Sequence, residues 1–286
     1  ILKLDIPPIA LHASTQTDNR TVEKVQFLQK CGFERIVLAR ETPLELIEKI
    51  YKQTLAELEV FVHGALCVSY SGQCYMSYAN CGRSANRGEC AQYCRLPYSL
   101  QDANGNILLK NKHLLSLKDL NRANFLEDLI NAGVMSFKIE GRMKEANYVK
   151  NITAFYRKKL DAILEHQPER KRSSFGKSTF FFNPIAEKSF HRGNTDYFLF
   201  ERSKNMVQLA TPKSLGEYIG VVSQTQRKSI EIDTKIPLHN GDGLCFINSK
   251  NEFSGFRINQ QDGKSVLFNE AHNLKKGDKV FRNYDH

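Results

Sequence analysis

Residues 61–94 read FVHGALCVSYSGQCYMSYANCGRSANRGECAQYC, an apolar run ending at His63 that opens into a polar, glycine-bearing stretch with five of the chain's seven cysteines. Unpaired cysteine is ordinarily a sparse, buried small hydrophobe, so thiols at Cys67, Cys74, Cys81, Cys90 and Cys94 ask for a chemical reason. Disulfides suit oxidising compartments and small domains without a core. This chain has 286 residues and is 41% hydrophobic. It shows no apolar run near the ~20 residues of a membrane span and no charged-then-apolar signal pattern at its start. Free thiols in a reducing, cytoplasmic setting and no membrane partner are therefore the expectation.

Zinc sites usually present thiolates as tight pairs with two to four residues between ligands. Only Cys90 and Cys94 form such a pair; six residues separate Cys67 from Cys74, and fifteen separate Cys74 from Cys90. That spacing suits a larger iron–sulfur cluster whose corners are met from different directions. Zinc, and cysteines merely packed in a loop, are the other readings. Cys81, between Asn80 and Gly82, stands in turn-forming sequence and is the spare.

Working outward, the preceding chain alternates strand and helix. Ile9–Ala13 is a short apolar run, and Thr17–Asn19 opens an amphipathic stretch through Val22, Val25, Phe27 and Leu28 that Cys31-Gly32 closes. Arg35–Arg40 is a buried strand, Thr42-Pro43-Leu44 opens a helix to about Ala56, and Leu58–His63 is a third strand. After the cysteines, Phe125, Leu126, Leu129 and Ile130 share a helical face, and Met135–Glu140 is a fourth strand. Val149, Ile152, Phe155, Tyr156, Leu160 and Ile163 then mark a long helix that ends at Gln167-Pro168. Continuous hydrophobicity in such strands is the mark of a parallel sheet covered by helices.

The rhythm predicts an α/β fold: the carboxyl-terminal half of a (β/α) barrel over residues 1–168, interrupted by a cysteine-rich metal-binding segment at 63–98. Barrel chemistry gathers at the carboxyl ends of strands, where the reading places His12, Arg40, His63 and Glu140. A barrel needs about eight strands and four are visible, so the expectation is a missing amino-terminal half, with a complete small open sheet as the alternative. Residues 169–202, opening on Glu169-Arg170-Lys171-Arg172-Ser173-Ser174, read as a linker, and 203–286 as a small β-barrel of short strands such as Tyr218–Val222, Ser229–Asp233 and Ser265–Phe268 between glycine turns.

Charge gives the partner class. Lys+Arg 41 against Asp+Glu 31 leaves +10, with basic clusters at Arg83/Arg87/Arg95, Arg142/Lys144, Arg157–Lys159 and Arg170–Arg172. A basic surface over a chemical site points to an anionic macromolecule, RNA first, and Tyr70, Tyr75, Tyr78, Tyr93 and Tyr98 offer stacking platforms. A solvated basic face over core aromatics is the plain alternative.

His63-Gly64-Ala65-Leu66-Cys67, Ser71-Gly72-Gln73-Cys74, Gly88-Glu89-Cys90, Cys94-Arg95 and Phe137-Lys138-Ile139-Glu140-Gly141-Arg142-Met143-Lys144 together resemble peptidase family U32, the collagenase-like peptidases. His12–Gln16 and Val37–Glu41 resemble the family's earlier strands. Gly241–Leu244 and Phe281–Asn283 resemble its ribosomal-RNA cytidine hydroxylase branch.

The resemblance implies a barrel whose first four strands precede this chain's start. It also implies oxygen-independent hydroxylation: of a pyrimidine, here a cytidine of 23S ribosomal RNA first, of transfer RNA second, or of a ubiquinone precursor. It further implies a four-iron (4Fe-4S) cluster, carried over by motif to Cys67, Cys74, Cys90 and Cys94. In the ubiquinone branch one ligand lies farther downstream; no matching cysteine stands in this barrel portion, and Cys94 takes its place. From their places at strand ends and in basic clusters, His63, Glu140 and Arg142 are the catalytic candidates, and Arg40, Arg83, Arg87 and Arg95 the substrate-binding ones. A guanidinium matches phosphate or carboxylate bidentately, including a prephenate-derived dicarboxylate as oxygen donor. A peptidase and a cluster-bearing RNA-binding accessory module are the competing functions. Neither His-Glu-x-x-His nor Gly-x-Ser-x-Gly occurs, and Cys67 near His63 is the one pair that could imitate a cysteine peptidase.

Overall fold

The computed structural model describes residues 9–202, 204–269 and 273–285. Residues 1–8, within the first domain as read, and Ser203, where the sequence reading starts the second, lie outside the described residues.

The first unit opens with strand β1 (His12–Ala13), helix α1 (Val22–Lys30), β2 (Arg35–Val37), α2 (Leu44–Tyr51) and β3 (Glu57–Gly64). Thr21 caps α1 by accepting a hydrogen bond from Lys24 N at 3.2 Å, and the helix turns Val22, Val25 and Leu28 into the core. In α2, Ile47 and Ile50 are fully buried. Beyond β3 come α3 (Met76–Cys81) and an exposed hairpin of β4 (Tyr98–Gln101) and β5 (Ile107–Lys112). Then follow β6 (Asp119–Asn121), α4 (Leu126–Asn131), β7 (Val134–Ile139), α5 (Ala146–Glu165) and β8 (Asn194–Thr195).

Strands β1, β2, β3 and β7 pair side by side and parallel. At its carboxyl end β3 also pairs antiparallel with β6, which pairs parallel with β8. Helix α5 lays Tyr148, Ile152 and Tyr156, four residues apart, on this sheet's core, while Val149, assigned to the same face from sequence, is 47% exposed.

Two sequence assignments need correction. His12 pairs with Arg35, and Arg35 with Glu57, so His12 stands at the amino end of the parallel strands, away from the end where Arg40 and Glu140 lie. The stretch read as a linker is exposed chain only at first. From Ala186 onward it returns to the first unit: β8 joins the sheet, and Ala186, Tyr197 and Leu199 are buried in its cores. The charged start at 169–174 hid this, because the apolar residues beyond it are scattered and short of any period.

The second unit is antiparallel throughout: β9 (Glu217–Gln226), β10 (Ser229–Asp233), β11 (Gly243–Ile247), β12 (Phe253–Arg257), β13 (Gln260–Asp262), β14 (Ser265–Leu267) and β15 (Lys279–Tyr284). They pair in the order β12-β11-β15-β9-β10-β14-β13 around an apolar core of their own, including Val222, Ile232, Phe246, Val266 and Val280. Among the described residues no helix is long and apolar enough to cross a membrane.

Candidate functional site

The carboxyl end of β3 delivers the chain into the cysteine segment. Gly64, with φ +106°, lets β3 approach the end of β7 so closely that a Cβ there would lie 2.4 Å from the Glu140 carbonyl oxygen. Glu140 N donates to His63 O at 2.8 Å as a result. Farther along, Gly72 (φ +76°) is pressed against Gln16, where a Cβ would meet the carbonyl oxygen at 2.4 Å. Ser71 N and Oγ donate to the two carboxylate oxygens of Glu41, each at 3.0 Å, and Gln73 Nε2 donates to Asp18 Oδ2 at 2.7 Å. The Ser71-Gly72-Gln73-Cys74 motif is therefore a docking element: every side chain before the cysteine is committed to a loop at a strand end.

The rest of the segment is held in the same manner. Cys74 N donates to Asn86 Oδ1 at 2.9 Å, and Ala91 N to Ser77 Oγ at 3.1 Å. Gln92, in the left-handed region at φ 57°, turns the chain between Cys90 and Cys94. Arg95 donates to Ser116 Oγ, Leu117 O and Leu66 O at 3.0, 2.9 and 2.6 Å.

These ties gather Cys67, Cys74, Cys90 and Cys94 around one pocket of about 470 Å³, together with Arg40, Glu140 and Arg142. Cys31, Cys81 and Cys245 do not line it; Cys81 gives its thiol to Ser77 O at 3.2 Å and Cys245 is buried in the second unit. Among the described residues no three cysteine sulfurs come within 4.8 Å of one another. Burial pushes the Cys67 thiol above its ordinary pKa, and neighbouring Cys74 and Cys94 push the same way while Arg40 opposes them. Cys94 is raised by burial too, against the pull of Arg95. Thiols in this state must lose protons on meeting a metal, so binding releases protons.

Arg40 and Glu140 face each other across the pocket, with Arg40 Nη2 3.8 Å from Glu140 Oε2. The Arg40 guanidinium lies over the Phe61 ring at 4.3 Å, and its buried Nε has no hydrogen-bond partner. Glu140 Oε1 accepts the main-chain N–H of Arg142 at 2.8 Å, and the Arg142 guanidinium reaches Gly88 O at 3.3 Å. Glu140 thus meets the backbone of Arg142, not its charge.

Other site assignments from sequence change. His63 is 3% exposed and lies off the pocket. Its ring packs against Tyr148 and Tyr156, and Nδ1 sits 3.2 Å from the Tyr156 hydroxyl, which itself donates to Val62 O. Burial, reinforced by His191, lowers its pKa to about 4. This is a neutral core imidazole, not a group presented to substrate. Arg95 lines the pocket, but its guanidinium is occupied by three protein oxygens, so it fixes the segment. Arg83 and Arg87 are exposed on the outer side, with Arg83 reaching Cys90 O at 3.4 Å.

Three cations escaped the sequence reading as site groups. Lys144, read there only as part of a motif and a basic cluster, lines the pocket half-buried, and Arg192 lines it buried, paired with buried Asp119 at 3.0 Å. Arg122, 1% exposed, donates to Arg40 O, Phe61 O and Asp196 O, bracing the strand ends. A lone arginine after a three-residue strand carries no local signal of such burial.

Residues 1–208 match the model of peptidase family U32. The 23S rRNA 5-hydroxycytidine C2501 synthase of Escherichia coli K12 is 50% identical over 295 aligned residues, covering 100% of this chain and 45% of that protein. The tRNA hydroxylation protein P1 of Bacillus subtilis 168 is 38% identical over 54% of this chain and 38% of its own length. A collagenase of Porphyromonas gingivalis W83 is 34% identical over 54% of this chain and 40% of its own. The chain spans less than half the length of each of these relatives. No solved structure matches.

Proposed function

The chain belongs to peptidase family U32, and on that premise we propose that it is the cluster-holding portion of an RNA hydroxylase, acting without molecular oxygen on a pyrimidine, ribosomal cytidine first and transfer RNA second. The observation that carries this reading is the convergence of four cysteines and several cations on one pocket at the carboxyl ends of parallel strands. The pairing of β1, β2, β3 and β7 in chain order supports a half (β/α) barrel with a cysteine-rich insertion, followed by a small β-barrel domain.

Cys67, Cys74, Cys90 and Cys94 would hold a four-iron cluster. The uneven spacing, in which only Cys90 and Cys94 form a tight pair, favours the larger group over tetrahedral zinc. Bound there, the cluster supplies one-electron chemistry that side chains lack. Arg40 and Arg142 offer forked donors to a dicarboxylate oxygen donor such as a prephenate derivative. The unpartnered Arg40 Nε supports this, because a buried donor without an acceptor is costly unless a ligand completes it. Glu140 holds Arg40 by charge and Arg142 by its amide, so the two guanidinium groups keep their positions around the ligand.

A thiol protease is poorly served by this geometry. Cys67 is pushed toward the neutral thiol, and His63 lies outside its pocket, whereas nucleophilic catalysis needs an activated thiolate beside a base. The deciding experiment is mass spectrometry of ribosomal and transfer RNA from cells lacking the gene. Loss of one hydroxylated pyrimidine, restored by the wild type and not by Cys67→Ser, is expected. Unchanged RNA with an altered quinone pool would overturn the RNA assignment.

A further inference from the structure

Resting on the RNA reading above, we propose that a second groove, continuous with the cysteine pocket, is the track for the single-stranded RNA that flanks the target nucleotide. The groove has a volume of about 830 Å³ and runs along the amino end of α5 beneath the returning segment 181–190. Met143 and Lys144 line both cavities, so they form the sill between them. Met143 is held at φ 59° and is 90% exposed.

The lining combines the two features that single-stranded nucleic acid requires, cations along a path and aromatic faces beside them. Phe181 is 99% exposed. Phe182 carries Lys150 Nζ 5.1 Å from its ring centre, and Phe190 carries Lys144 Nζ at 3.2 Å. Among the described residues neither lysine forms an ion pair; their ammonium groups rest on ring faces instead. Burial pulls Lys144 below the ordinary lysine pKa, with Arg192 and Arg95 acting the same way against the opposing pull of Asp119 and Glu140. A phosphate in the groove would add counter-charge beside it.

A lone exposed phenylalanine is common on protein surfaces and means little. Here the segment between Phe182 and Phe190 is tied to α5. Asn151 on α5 donates to Ile185 O at 2.6 Å and to Ser189 Oγ at 2.8 Å, and accepts from Ile185 N at 3.1 Å. The first-turn amides of the twenty-residue helix add positive potential along the same wall, offset in part by the carboxylate of Glu145 at the N-cap. Lys188, by contrast, is paired with Asp285 at 2.6 Å and is not assigned to the track.

The test is photo-crosslinking of the full chain to a short single-stranded oligouridylate carrying 5-iodouracil, followed by mass mapping, with salt titrations of affinity. Crosslinks should fall on the peptide holding Phe181 and Phe182 and vanish in the double variant Phe181→Ser, Phe182→Ser. Lys144→Gln with Lys150→Gln should lower affinity several-fold and flatten the log–log salt slope by about 1.4, two contacts at about 0.7 each for single strands. Lys150→Arg should keep the wild-type slope. Crosslinks elsewhere, with slope and affinity unmoved in the lysine variants, would overturn the track and leave the RNA reading standing. Absence of any RNA binding by the wild type would overturn both. Groove crosslinks in a protein whose deletion leaves cellular RNA unchanged would support the track and remove only the hydroxylation reading.

Discussion

Strand β3 and the cysteine segment that follows it are neighbours in the chain and opposites in construction. Every residue of Glu57–Gly64 except Glu57 is buried, and backbone ladders on both sides hold it between β2 and β7. From Cys67 to Cys94 only Ser71 and Ser77 are buried, both polar. The first region is held by apolar burial, at about 25 cal/mol per Å² removed from water. The second is held by hydrogen bonds to Glu41, Asp18 and Asn86 and from Arg95, each worth about 0.5–3 kcal/mol net, the upper part of that range belonging to the charged partners. Such a segment has little stability of its own, and a metal group bridging four thiolates would be its main fastening.

The sharpest break in that comparison comes from the thiols. Replacing Cys67, Cys74, Cys90 or Cys94 singly by Ser in anaerobically purified protein should remove most of the iron and bleach the near-visible absorption, since a neutral hydroxyl is a poor iron ligand. Limited proteolysis should then cut the segment while β3 stays protected. Cys31→Ser, Cys81→Ser and Cys245→Ser should leave the absorption intact. Bleaching by Cys81→Ser without bleaching by Cys94→Ser would show that the ligand set is wrong, and stoichiometric zinc in a colourless sample would replace the cluster by a structural knuckle.

The same contrast explains what could be read from the chain. The four parallel strands and their helices were legible because Ile36-Val37-Leu38 and Val60-Phe61-Val62 announce burial by local pattern, and Ile152 and Tyr156 mark the buried face of the long helix, although Tyr148 rather than Val149 extends it. The four pocket cysteines were legible by type and spacing. His63 was misread because its position at a strand end next to Cys67 looks the same in sequence whether the ring points to the pocket or to Tyr156. Arg95 was misread for a related reason: nothing local says that its acceptors are Leu66, Ser116 and Leu117, two of them more than twenty residues downstream. Lys144 was visible only as charge in a basic cluster, and the aromatic groove at 181–190 not at all, because their meaning lies in a long-range return of the chain.

A smaller effect is expected on the sheet side. His63 has a folded pKa of about 4 against an ordinary value of 6.5, so the unfolded chain binds more protons between those values. Stability is then full above pH 6.5 and declines as pH falls toward 4, by about 3 kcal/mol from this one group. Denaturant melts of the wild type should show that decline, and His63→Gln, which retains a donor for Tyr156, should flatten most of it; His191, also lowered by burial, accounts for a residue. An unchanged slope in the variant would mean that His63 is not the buried neutral imidazole described here.

The smallest effect belongs to the outer face of the cysteine segment, and it separates charges that bind from charges that build. Arg83 and Arg87 are exposed, and Arg83 reaches only Cys90 O at 3.4 Å, so removing their charge takes little from the fold. If they meet phosphates, Arg83→Gln with Arg87→Gln should flatten the log–log salt slope of single-stranded RNA binding by up to about 1.4, with the melting temperature unchanged. Arg95→Gln should behave in the opposite way: it removes donors to three protein oxygens, so it should loosen the segment and lower iron content even where no RNA is present. Arg170, Lys171 and Arg172, at the start of the exposed stretch after α5, serve as the control triple and should move the slope less. Equal slopes for the control triple and the Arg83/Arg87 pair would reduce the segment's charge to a general basic surface, whereas a slope change confined to Arg83 and Arg87 places the RNA across the outer face of the cysteine segment.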